Sequence, residues 1–381
     1  MHYQLSLEQE MFRETIGNFA NDKLVPIAFK IDEIAEFPKE AFDLLCKMGI
    51  PGLVFPKEYG GAEADLLTCC LATEEISKVS GTLGCLVVYQ SFPFSLFKIG
   101  ATPQQKAKYL PRLASGEIIH AFSITEPNAG SDVSSIKTRA VLNGDHYVLN
   151  GSKCFCTHVQ IAEIVSVFLV TDPLKGNKGL STIIVERGTP GFSVNKIENM
   201  MGLRGTSSCE LLFEDCSVPK ENLLGKEGDG FKIAMFTLNE ARPGAAAMSV
   251  GIAQGALDFA LRYAKERVQF GKSIAEFQGI QFMLADMGTQ IEAARQLTYR
   301  AATVVGKGEK EGVKLSAMAK YFASDMAMRV TTDALQILGG YGYTKEYPLE
   351  RMMRDAKATQ IFEGTNQIQR IVVARSLLKK V

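Results

Sequence analysis

From residue 6 to about residue 114 the apolar positions follow a helical period. Leu7, Met11, Phe12, Ile16 and Phe19 recur on one face, and residues 37–46 repeat the behaviour. Gly60-Gly61 and Gly100 punctuate these helices. Between about 118 and 218 the period shortens to that of strands. Val141-Leu142-Asn143-Gly144-Asp145-His146-Tyr147-Val148 reads as a hairpin around an Asn-Gly turn. Residues 164–170, 180–185 and 211–213 are further short apolar runs bounded by Gly, Pro and Asp. From about residue 231 the helical period returns, with long stretches at 244–266, 275–306 and 312–338. They are broken at Gly271-Lys272 and at Gly339-Gly340-Tyr341-Gly342. Helices, then strands, then helices predict a segregated α+β fold, mainly α, and not a βαβ array.

At 381 residues the chain exceeds one typical core, so two or three structural regions are expected. Apolar residues make up 46% and charged residues 22%, the usage of a globular protein. Lys plus Arg and Asp plus Glu each number 42, with no long run of one sign. That balance argues against nucleic acid or an anionic membrane and favours a small-molecule partner. Met1-His2-Tyr3-Gln4-Leu5 runs directly into an amphipathic stretch with Glu8 and Glu10, without a secretory signal pattern. No apolar run reaches the length of a bilayer span. The expectation is a cytoplasmic protein whose mature chain starts at residue 1.

The cysteine pairs Cys69-Cys70 and Cys154-x-Cys156 lack metal-site spacing, which predicts reduced, mostly buried thiols and no metal. No G-x-G-x-x-G follows a predicted strand, so a Rossmann dinucleotide site is unsupported. Gly271-Lys272-Ser273 resembles the tail of a phosphate loop, but position 266, where the leading glycine belongs, is Glu. His2, His120, His146 and His158 show no paired spacing, and no G-x-S-x-G elbow is present. Spacing alone leaves the chemistry open.

Longer segments narrow it. Ile124-Thr125-Glu126-Pro127-Asn128-Ala129-Gly130-Ser131-Asp132-Val133 is followed by Arg267-Val268-Gln269-Phe270-Gly271-Lys272 and by Gln336-Ile337-Leu338-Gly339-Gly340. Tyr347-Pro348 then leads through Arg354-Asp355 to Ile361-Phe362-Glu363-Gly364-Thr365-Asn366-Gln367-Ile368-Gln369-Arg370. In this order the segments resemble the acyl-CoA dehydrogenase family over nearly the whole chain.

The resemblance implies an N-terminal helical domain (1–120), a small β-barrel-like middle domain (121–232) and a C-terminal four-helix-bundle domain (233–381), with FAD held non-covalently between them. Phe122, Ile124, Thr125, Gly130 and Ser131, with Phe155 and Thr157, flank the isoalloxazine in that family, Ser131 also lying near the thioester. Gln336, Gly339 and Gly340, with Thr365 and Gln367, contact the adenine and phosphates. Arg267, Gln269, Phe277 and Gln278 are often supplied across the interface of a homotetramer. Asn239 and Arg242 correspond to residues near the pantetheine and the reacting end, and Arg375 to one near the CoA arm. The physics agrees: Gly364-Thr365-Asn366 opens a helix whose N–H groups suit a diphosphate, and Arg267 offers a fixed fork of donors.

The implied reaction desaturates an acyl-CoA between its α and β carbons, Glu363 taking the α proton and hydride leaving for flavin N5, with electrons passing to an electron-transfer flavoprotein. The Glu363 N–H and a flavin ribityl hydroxyl bind the carbonyl in this family. A carboxylate between Phe362 and the flavin is expected to have a raised pKa. Some relatives carry the base at the position of Ala241, which cannot accept a proton. Glu240 points about 100° aside on a helix and reads as structural. The chain departs from the family at Phe155-Cys156-Thr157-His158, where Trp, Thr and Asn are common, and it contains no tryptophan. Tyr89, Phe92 and Phe94, if they face the pocket, imply a short, branched or cyclic acyl chain. The alternatives are an oxygen-reactive acyl-CoA oxidase and a non-catalytic binding paralogue.

Overall fold

The computed structural model describes residues 5–379; His2 and the opening Met1-His2-Tyr3-Gln4 lie outside the described residues. Six helices come first: α1 (Leu7–Phe19), α2 (Val25–Ile34), α3 (Lys39–Lys47), α4 (Leu66–Ser77), α5 (Gly81–Gly100) and α6 (Pro103–Ala114). Their starts are written locally. Ser6 and Thr102 close capping boxes with Gln9 and Gln105, and Asp65 and Ser80 cap α4 and α5. The apolar face expected of α1 is only partly buried: Ile16, Phe12 and Phe19 reach the core, whereas Leu7 and Met11 stay exposed.

The middle region is one sheet of β1 (His120–Ser123), β2 (Arg139–Asn143), β3 (His146–Cys156), β4 (Ile164–Val170), β5 (Leu180–Glu186), β6 (Phe192–Ile197), β7 (Cys209–Pro219) and β8 (Leu223–Leu224). The order is β6-β7-β3-β2-β4-β5-β8, with β1 beside β4. One residue pair, Arg139 with Val170, joins the two halves, so the sheet folds into a barrel-like pair of layers. Leu149, Leu211 and Phe213 from one layer and Val167 and Val185 from the other share a buried cluster. The expected hairpin forms between β2 and β3, but Asn143 pairs with His146 and the two-residue turn is Gly144-Asp145.

The last part holds α7 (Gly230–Glu266), the short hairpin β9 (Val268–Gln269) and β10 (Lys272–Ser273), then α8 (Gln278–Gly306), α9 (Gly312–Leu338), α10 (Leu349–Thr359) and α11 (Asn366–Leu378). Helix α7 begins well before residue 244 and runs through Pro243, which only removes the bond to the carbonyl one turn back. Small residues on α7 admit α4 closely: a Cβ at Gly251 would sit 2.2 Å from the Glu74 carbonyl oxygen.

Among the described residues two helices, α5 and α7, are long and apolar enough to cross a bilayer by length and composition, contrary to the expectation from the sequence. Each buries 72% of its most apolar window inside the protein, so core packing accounts for the composition.

Candidate functional site

Glu363 lies in the turn between α10 and α11, with a left-handed φ of 55°, and the following Gly364 has φ 86°. A non-glycine residue in that region carries local strain, which the surroundings must hold. Its side chain is buried, and neither carboxylate oxygen has a hydrogen-bond partner among the described residues. Burial pushes the carboxyl above its ordinary pKa, while the charges of Lys320 and Arg242 pull it back. Arg242 on α7 is itself buried, with Nε unpartnered, and burial weakens its hold on its proton while Glu363 strengthens it.

Helix α5 closes the other side. Tyr89 feels the charge of Glu363, stacks on Phe92 at 4.7 Å, and its hydroxyl accepts from Thr157 Oγ1 at 3.5 Å. Phe92 meets Phe122 edge to face at 5.6 Å. Phe94 packs against Phe55 at 5.6 Å. The chain Glu363, Tyr89, Thr157 and Phe92, Phe122 therefore gathers one acid, one hydroxyl pair and an aromatic wall from three parts of the sequence.

Around that wall the 124–131 segment is fixed by the sheet. The Cys154 N–H donates to the Thr125 carbonyl at 2.9 Å, and Lys153 Nζ to the Ile124 carbonyl at 3.1 Å. Gly130 and Ser131 stay exposed, and a Cβ at Gly130 would meet nothing. Phe155 sits where β3 loses register with β7, has φ 55° and is 59% exposed. His158 is wholly buried between Phe37 and Tyr89, both ring nitrogens lacking a protein partner, and burial lowers its pKa to about 3.

A second concavity of about 460 Å3 is lined by Arg267, Gln269, Gly339, Gly340, Tyr263 and Tyr341, among others. Cβ atoms at Gly339 and Gly340 would meet nothing, so backbone is open there to a close ligand. Arg267 lies 5.5 Å over the Tyr341 ring. A guanidinium fork, exposed peptide groups and aromatic faces fit the diphosphate and adenine of FAD.

Four further sequence-derived residues, Gln336, Gln278, Gln367 and Arg375, are exposed. Phe277 is half-buried against Phe270 at 6.0 Å. Asn239 accepts from Ser316 Oγ at 2.7 Å, and the Thr365 hydroxyl caps α11 by accepting from the Ile368 N–H. Glu240 pairs with Lys98 at 3.3 Å, in keeping with a structural role. All eight cysteines are unpaired, and Cys46 alone is not buried. Sequence reasoning missed Lys320 and Gln369, both buried against the Glu363 turn. The one available signal was a lysine standing among alanines on a helix face.

Family models for acyl-CoA dehydrogenases match nearly the whole chain: the N-terminal domain at residues 6–117, the middle domain at 121–216 and the C-terminal domain at 228–378. The chain is 48% identical, over 100% of both proteins, to the short-chain specific acyl-CoA dehydrogenase of Clostridium acetobutylicum. It is also 48% identical to the acryloyl-CoA reductase (NADH) of Anaerotignum propionicum, over 100% of this chain and 97% of that one. Among solved structures, butyryl-CoA dehydrogenase from Megasphaera elsdenii superimposes with TM-score 0.96 at 46% identity, covering 99% of this chain and 100% of that one. A chain from a structure described as the electron transferring flavoprotein of Acidaminococcus fermentans, studied for flavin-based electron bifurcation, gives 0.97 at 50% identity, covering 99% and 100%. The FAD complex of PigA gives 0.94 at 30% identity, covering all of both chains.

Proposed function

The chain belongs to the acyl-CoA dehydrogenase family, whose cofactor is FAD, and on that premise we propose that Glu363 removes the α proton of an acyl-CoA while hydride leaves the β carbon. The observation that carries this reading is the buried Glu363 carboxylate with two unpartnered oxygens.

An α C–H beside a thioester is a weak acid, so the base must be both basic and aimed. Burial supplies the basicity of Glu363, and the charges of Lys320 and Arg242 limit that rise. Bound FAD supplies the hydride acceptor. Thr157, Phe122 and Phe155 with the 124–131 segment hold its ring, and Arg267, Gln269, Gly339 and Gly340 hold its diphosphate and adenine. Gln336, Thr365, Gln367, Phe277 and Gln278 complete that set. The Glu363 N–H polarises the thioester carbonyl, with Ser131, Asn239, Arg242 and Arg375 along the pantetheine and CoA.

The acyl group is short, branched or cyclic. The cavity beside Ala241, lined by Leu53, Cys70, Val88, Ser91 and Gly244 among others, is about 20 Å3, room for little more than a water-sized group. Tyr89 and Phe92 bound the other side. Electrons pass to an electron-transfer flavoprotein, a reading supported by the similar chain from the Acidaminococcus fermentans structure. The protein works as a cytoplasmic homotetramer with domains at 1–120, 121–232 and 233–381.

Glu363→Gln tests the assignment, since it keeps size but accepts no proton. The expected loss in substrate-driven flavin bleaching is ~10²–10⁴-fold, with acyl-CoA binding retained. Bleaching at the wild-type rate, or continued exchange of the α proton with solvent, excludes Glu363 as the base. Rapid NADH formation without another acceptor overturns the electron-transfer flavoprotein assignment.

A further inference from the structure

Ser316, Lys320, Ser324 and Ala327 form one buried line along α9, and Lys320 is the single charge in it. No part of Lys320 reaches solvent. A lysine is withdrawn from water only where acceptors replace its hydration. Its Nζ donates to the Gly364 carbonyl at 2.9 Å and to Asn366 Oδ1 at 3.1 Å. One acceptor lies in the turn that bears Glu363 and the other on the first residue of α11, which closes it.

The backbone carbonyls of that turn are held from beneath by further side chains. Gln369 Nε2 donates to the Glu363 carbonyl at 3.2 Å and to the Gly364 carbonyl at 2.9 Å. The Asn366 N–H donates to the Gln360 carbonyl at 3.0 Å, and Asn366 Nδ2 to Asp325 Oδ1 at 2.7 Å. Two successive left-handed residues, 55° and 86° in φ, need such clamps, and a change of either φ would swing the carboxylate. Lys357 Nζ also reaches the turn, at Gln360 Oε1 2.9 Å away, but that bond is exposed and lies at the far end from Gly364.

We propose that Lys320 is the positioning residue of the catalytic base: it pins the turn that aims Glu363 and sets a cationic side chain beside that carboxylate. The inference rests on Glu363 being the base. Glu363 faces Lys320 from α9, Arg242 from α7, and Cys85 and Tyr89 from α5. Lys320 faces Glu363, Arg242 and Asp325. Burial lowers the lysine pKa and Glu363 raises it, so the two groups support each other's charge.

Lys320→Gln separates aiming from charge, because the amide still donates a hydrogen bond. Exchange of the α proton of bound acyl-CoA is followed against pH in the FAD-loaded variant. The acidic limb is expected to move up by about one unit or more, costing about tenfold in rate per unit below the limb, with KM changed far less. An unmoved limb overturns the role of Lys320. If the glutamine variant does not fold, Lys320→Arg carries the test: its limb is expected at the wild-type position, and an upward shift despite the retained charge overturns the proposal. Glu363→Gln measured in parallel keeps the two readings apart. Exchange surviving there removes Glu363 as base, whereas exchange lost there with an unmoved limb in Lys320→Gln removes only the role of Lys320.

Discussion

Lys153 Nζ lies 2.8 Å from Glu126 Oε1, and the lysine side chain is wholly buried. The same carboxylate accepts from the Lys137 N–H at 2.6 Å and the Thr138 N–H at 2.9 Å. Burial pushes Glu126 up, yet Lys153 and these bonds outweigh it and leave the carboxyl below its usual pKa. The pair thereby ties β3 to both ends of the loop that carries Thr125, Gly130 and Ser131.

Lys153→Met strands a buried carboxylate and is expected to cost about 3–5 kcal/mol, with loss of FAD from the loosened loop. Thermal unfolding with and without added FAD measures both. Combining it with Glu126→Gln should recover part of the loss, because the charge left unpaired is gone. A single variant with wild-type melting and FAD content contradicts the account.

The three-part order of helices and strands was legible because the hydrophobic period changes from 3.6 to 2 and back. Glu363 and the glycines at 339 and 340 were legible because their neighbours form long ordered motifs. Three features were not. The hairpin turn fell one residue late because Asn143 keeps its place in the ladder. Leu7 and Met11 remain exposed, since period alone does not say how far a neighbouring helix reaches. Lys320 was hidden because its two acceptors come from a turn more than forty residues later.

Arg267→Lys keeps a charge in the cavity but loses the planar fork. Losing one charge-assisted bond should weaken FAD roughly tenfold or more, read as the dissociation constant of apoprotein for FAD. Melting of the apoprotein should hardly change, because among the described residues Arg267 makes no ion pair, and a lysine can keep the cation over the Tyr341 ring. Unaltered FAD affinity places the diphosphate elsewhere.

Asp355 is buried, accepts from the Leu203 N–H at 2.6 Å, and joins α10 to the middle domain. Burial raises its pKa from 3.8 to about 6, against the Leu203 bond and Arg351. The folded protein therefore holds this proton more tightly than the unfolded chain, so the group's contribution falls as pH rises from about 4 to 6 and stays low above. The change amounts to about 3 kcal/mol. Asp355→Asn should lack this slope, melting higher than wild type at pH 8 and equal to it near pH 4. A variant that tracks wild type across that range excludes Asp355 as the titrating group.

Phe155→Trp asks whether position 155 lies against the flavin. The ring is 59% exposed at a break in the β3–β7 ladder, between Cys154, whose N–H is bound to Thr125, and Cys156, whose Sγ lies 3.0 Å from Ser123 Oγ. Neighbours on both sides are fixed while the ring itself faces open space, so a larger aromatic enters without overpacking. FAD affinity should stay within a few-fold of wild type, since an aromatic face is kept. The chain has no tryptophan, so the variant carries a single indole whose emission reports one place. An isoalloxazine in van der Waals range quenches such emission strongly, and titrating FAD into apoprotein should extinguish it at one FAD per chain. A variant that binds FAD at full stoichiometry while its indole emission stays constant would show that residue 155 points away from the flavin. In that case the aromatic shield would have to come from Phe122 and the Tyr89–Phe92 stack.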